Sequence, residues 1–172
     1  MAGLIYIDGP KLFFLVLCAC VLHEAGHCAA AILAGSKVES LWLTMVGAEM
    51  ELSPDISLSY ARDAMISFAG PGVNLLAAWI ALQVDTPLFA GLNLCFGILN
   101  LMPVRPLDGG RILTSILSFF WPVAAEKVVL YLSIVFAGFL LGIGWAAWRR
   151  WGNLSLFITA AWLVVGVLKI KK

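Results

Sequence analysis

Charge is what this chain has least of. Only 12% of its 172 residues are Asp, Glu, Lys or Arg, while 62% are hydrophobic. A water-soluble domain carries roughly twice that charged fraction. One small core cannot bury so much apolar side chain, so lipid is the expected solvent. The net charge of +1 gives no basic footprint, so a nucleic-acid partner is not expected. Cysteine is sparse too. Cys18, Cys20, Cys28 and Cys95 lie within apolar runs and show neither CxxC nor disulfide-framework spacing. They read as small core residues. There is no internal repeat, no low-complexity tract and no soluble second domain. A basic n-region and a small-residue cleavage site are both missing at the N-terminus, so a signal peptide is not expected. Residues 3–8 (GLIYID) are too short to span a membrane alone.

The apolar residues are grouped into runs. A spanning helix needs about 20 mainly apolar residues. Such runs cover 12–34, 62–83 and 124–148, with a shorter last one at 153–168 beyond Arg149 and Arg150. A further run begins at 87–102, is interrupted by MPVRPLDGGR (102–111), and resumes as ILTSILSFFW (112–121). The expected fold is an all-α polytopic membrane protein with about five to six transmembrane helices. One domain is expected over 1–172, with a catalytic core at about 12–121 and accessory helices at about 124–170.

The segment 37–52 differs in texture. It is rich in strand formers, and after Gly47 it alternates as Ala48, Glu49, Met50, Glu51, Leu52. Period-two alternation predicts strand. A small membrane-associated β-hairpin or sheet is therefore expected after the first catalytic helix, closed by a polar turn at Ser53-Pro54-Asp55.

Orientation follows from Lys and Arg. With five crossings, one side holds Lys37, Arg62, Lys127, Lys169, Lys171 and Lys172, and the other holds Lys11, Arg149 and Arg150. The C-terminus and the hairpin loop are expected to face the cytosol, in a bacterial cytoplasmic membrane.

The chemistry starts at HEAGH, residues 23–27. On a helix, residues four apart lie on one face, about 40° apart. His23 and His27 can therefore hold one metal ion from consecutive turns. Glu24 can lean toward a water that zinc has acidified and accept its proton. Both of the chain's histidines are in this motif. Ionisable groups inside an apolar run are costly and mark function. A catalytic zinc has three protein ligands and an open position. With no third histidine, a carboxylate must complete the set, and Asp108 fits. It lies in NLMPVRPLDGGR (100–111), where two prolines break the helix and two glycines permit close backbone approach. An ordinary turn between helices is the plainer reading of PLDGG taken alone.

HEAGH, then FAGPGVN (68–74), then NLMPVRPLDGG (100–110) together resemble the site-2 protease family of intramembrane metalloproteases. The likeness covers roughly residues 12–121 and leans toward the compact bacterial branch that includes the sporulation factor IVB protease. It implies one zinc per chain held by His23, His27 and Asp108, with Glu24 as catalytic base. It also implies that Asn100 donates a hydrogen bond to the developing oxyanion. Members have an asparagine at the position of Asn74, which points either to substrate contact or to interhelical hydrogen bonding. Members usually carry a further membrane segment before the HExxH helix, of which residues 3–8 are either the edge or no part; many also carry an appended PDZ or CBS module, which is not expected here.

The expected function is hydrolysis of peptide bonds in or near a transmembrane segment of another protein, in sporulation or stress signalling. Its partners are that substrate, the lipid bilayer and a membrane regulator of unknown identity. An unwound substrate needs new backbone partners in the membrane. The strand at 38–52, around Leu43, Thr44 and Met45, can supply them by edge pairing. Arg105 and Arg111 mark either a water channel or snorkelling anchors. Two rival functions stand beside this one. The first is an inactive relative that binds membrane segments, which intact HEAGH and LDG disfavour. The second is a metal transporter, which the lack of a repeat disfavours.

Overall fold

The computed structural model describes residues 9–35, 38–44, 47–52, 59–152 and 154–169. The expectations for GLIYID, the Ser53-Pro54-Asp55 turn, Met45, Lys37, Lys171 and Lys172 lie outside those residues, as do the side chains of Leu43 and Thr44.

Among the described residues, six helices and two strands run in the order α1 (Gly9–Leu33), β1 (Val38–Thr44), β2 (Gly47–Leu52), α2 (Tyr60–Gln83), α3 (Pro87–Asn100), α4 (Asp108–Phe120), α5 (Pro122–Trp151) and α6 (Leu154–Lys169). β1 and β2 pair antiparallel, with Leu43 opposite Ala48 and Thr44 opposite Gly47. Among the described residues, α1, α2 and most of α5 are long and apolar enough to cross a membrane. α3 and the Phe157–Val167 part of α6 are shorter apolar helices. Large apolar side chains stand on the outside: Phe13, Trp79, Val123 and Phe139 are each more than 60% exposed. Water would charge heavily for that surface, and lipid does not. The chain is an integral membrane protein.

Helix ends follow local chemistry. Pro87 and Pro122 open α3 and α5, where a missing N–H costs nothing. Gly35 follows α1 with φ 78°, and Gly152 caps α5 in the left-handed region with φ 68°. α5 therefore runs through Arg149 and Arg150 instead of stopping before them. Cations in a last turn complement the helix dipole, so the pair extends the helix.

The chain divides into two compact units. One comprises residues 1–56 and 69–99, the other 57–68 and 100–172. In the first, α1 packs against α2 through Gly26, where an added Cβ would stand 2.8 Å from the Ala69 carbonyl oxygen. α2 meets α3 at Gly97, where an added Cβ would lie 3.2 Å from the Pro71 carbonyl oxygen. Small residues let helices approach closely where lipid supplies no hydrophobic drive. In the second unit, α5 packs against both α4 and α6. Its core joins Val104 and Leu107 to Ala137, Leu163 and Val167, and Trp148 stacks on Phe157.

Candidate metal centre

In the first unit the histidines occupy one face of α1, both buried. Their Nε2 atoms lie 3.1 Å apart. Two nitrogen donors of a tetrahedral zinc, each at about 2.0–2.1 Å, stand roughly 3.3 Å from one another. The pair therefore fits two neighbouring corners of a zinc site. The rings meet edge to face at 85°, and Phe96 from α3 packs on His23 with centroids 5.1 Å apart. Gly70 on α2 makes room for His27. A Cβ there would stand 2.6 Å from His27 Cε1 and closer still to Nε2.

The other ring nitrogen of His23 is also occupied. Nδ1 lies 2.7 Å from Oδ1 of Asn74. The Asn74 Nδ2 group donates to the Ala19 carbonyl at 3.0 Å and to Oδ1 of Asn93 at 2.8 Å. Asn93 in turn donates to the Phe89 carbonyl at 2.9 Å. Both amides are fully buried. Metal-binding histidines usually donate their second N–H to such a partner, which fixes the tautomer and the ring plane. Glu24 is half-buried, one residue after His23.

In the second unit, residues 101–107 separate α3 from α4. This turn is partly inside the protein: Val104 and Leu107 are buried, whereas Pro103 is exposed. Three of its backbone N–H groups are satisfied internally. Val104 N–H donates to Met102 O, Leu107 N–H to Val104 O, and Arg105 N–H to the Ser133 hydroxyl on α5. Gly166 on α6 faces Pro106, where an added Cβ would stand 3.0 Å from Pro106 Cγ. Asp108 is the first residue of α4 and only 9% exposed. The sequence places it inside the break. The helix starts sooner because a carboxylate in the first turn suits the dipole. Gly109 and Gly110 also let that turn nest on residues 101–105. A Cβ on Gly110 would stand 2.6 Å from Arg105 N.

A model of peptidase family M50 matches residues 85–142. A zinc metalloprotease of Methanocaldococcus jannaschii is 36% identical over 121 residues, covering 62% of this chain and 34% of its own length. Stage IV sporulation protein FB of Bacillus subtilis is 27% identical over 117 residues, covering 63% of this chain and 41% of its own. The solved structure of the site-2 protease from Methanocaldococcus jannaschii superposes with a TM-score of 0.76 at 26% identity, over 96% of this chain and 80% of that one.

The chain belongs to peptidase family M50, the site-2 proteases. It spans about two-fifths or less of the length of these curated relatives. They come from an archaeon and a bacterium, and the sporulation branch is not singled out. Within this M50 chain, the structure brings His23, His27 and Asn74 together, with Asn74 serving as an interhelical hydrogen-bonding residue. Asn100 ends α3 and is half-buried. Arg111 is half exposed. It pairs with Asp63 at 3.4 Å, and Ser115 also hydrogen-bonds Asp63, so α4 is tied to the first turn of α2. Sequence reasoning missed Asn93, Ser133 and Gly166. Asn93 had a usable signal, since a lone amide inside an apolar helix needs a partner.

Proposed function

We propose that this chain is a zinc-dependent endopeptidase that cuts transmembrane or membrane-proximal segments of other proteins. The observation that carries the reading is the facing pair of histidine Nε2 atoms, with the outer nitrogen of His23 already engaged. We assign His23, His27 and Asp108 as the ligands of one zinc per chain; each offers one donor atom of a type zinc takes. Bound zinc would polarise the scissile carbonyl and acidify a water molecule. Glu24 takes a proton from the attacking water and returns it to the leaving amine. The Asn100 amide donates to the oxygen on which charge develops.

Residues 1–172 act as one domain with five to six crossings and a cytosolic C-terminus in a bacterial cytoplasmic membrane. The β1–β2 hairpin lies at the membrane and pairs with the unwound substrate along Leu43, Thr44 and Met45, with Asn74 buttressing the site. Proline in this stretch is expected to abolish cleavage while zinc stays bound; unchanged cleavage would remove the strand-pairing role. The cellular task is release of a membrane-tethered signalling protein, in sporulation or stress. The test is a Glu24→Gln variant in detergent or vesicles, assayed on a transmembrane reporter. Retained zinc with lost cleavage supports a protease. Cleavage at the wild-type rate sinks the reading, and no cleavage by the wild type favours a binding-only relative.

A further inference from the structure

The buried amide chain in the first unit has a definite direction. Backbone carbonyls can only accept. Phe89 O must therefore receive the Nδ2 group of Asn93, which turns Asn93 Oδ1 toward Asn74. Ala19 O must likewise receive the Nδ2 group of Asn74. With its amide so oriented, Asn74 has only its oxygen left for His23, so His23 Nδ1 carries the proton. The lone pair then sits on Nε2, the atom that faces His27. A flipped Asn74 would present N–H to Nδ1 and move the proton to Nε2, which could no longer bind a metal ion.

We propose that Asn93 is a positioning residue for the metal centre: it locks the Asn74 amide and thereby holds His23 in the tautomer whose Nε2 is unprotonated and can bind metal. The lock spans three helices, from α3 through α2 to α1, and touches neither substrate nor metal. Asn93 is fully buried at the middle of α3. An amide there would be costly without such a task. The proposal rests on the zinc-site reading given above.

The experiment uses the full chain in detergent with 15N-labelled histidine. Only two histidines exist, so all four ring nitrogens can be assigned by comparison with a His27→Ala variant. Metal affinity is measured by chelator competition, and Co2+ supplies an absorption spectrum of the site. In the wild type, His23 is expected to be protonated at Nδ1 and to bind through Nε2. Asn93→Leu, which is close in size, is expected to weaken metal binding about 10- to 100-fold and to alter the Co2+ bands. Asn93→Asp, which keeps the accepting oxygen, is expected to recover part of the affinity. An Asn93→Leu protein with wild-type affinity and an unchanged Co2+ spectrum overturns the proposal. So does a wild-type His23 that binds through Nδ1, a result that needs no variant to fold. Absence of metal binding in the folded wild type would instead refute the zinc-site reading itself, and the proposal with it.

Discussion

Gly70 of α2 lies directly against the imidazole of His27 on α1, close enough that the smallest side chain would overlap the ring. The position of His27, which we propose binds zinc, is thus set by the absence of a side chain on a neighbouring helix.

Gly70→Ala is therefore expected to push His27 out of place. Metal content should fall below half, and cleavage should drop by about 10²-fold, the order associated with a misplacement of about 1 Å in an active site. Gly138→Ala is the control, because nothing stands within 4 Å of a Cβ there. Metal analysis of the two purified proteins checks the contrast. Equal metal content would show that His27 has another place to go.

Glu24→Gln separates binding from chemistry. The amide keeps the size of the side chain but cannot accept a proton. Cleavage of a transmembrane reporter is expected to fall by about 10²- to 10⁴-fold, with zinc per chain unchanged.

Ser133 is expected to matter although it stands far along the chain, on α5. Its hydroxyl accepts from Arg105 N–H at 3.0 Å and donates to Val129 O at 2.7 Å. Ser133→Ala leaves the Arg105 N–H without that partner in the partly buried turn that leads to Asp108. The expected cost is about 1–3 kcal/mol, read as a lower thermal midpoint. No shift would mean that water or another group replaces the hydroxyl.

Leu163→Ala tests the packing beneath the same turn. Leu163 is 1% exposed and sits with Val104, Leu107, Ala137 and Val167. The cavity is expected to cost about 2–5 kcal/mol, measurable by denaturant unfolding in detergent.

Much of this was legible in the residues. Apolar runs located the helices, because lipid demands length and low charge. The spacing of His23 and His27 placed both on one face, and the prolines of 102–111 marked the break. What could not be read was partnership over long separations. Nothing in the local sequence says that Asn93 meets Asn74, that Ser133 receives Arg105 N–H, or that Gly166 faces Pro106. Such pairings are set by which helices pack. The start of α4 was misjudged for a local reason: Asp108-Gly109-Gly110 has turn composition, yet tight nesting on residues 101–105 makes it helical.

The most direct test of the central claim is zinc per chain in detergent-purified protein, wild type beside Asp108→Ala. About one zinc in the wild type, largely lost from a folded variant, is the predicted result. A variant that keeps its zinc with undiminished resistance to chelator would contradict the assignment of Asp108. A folded wild type without zinc would contradict the metalloprotease account as a whole.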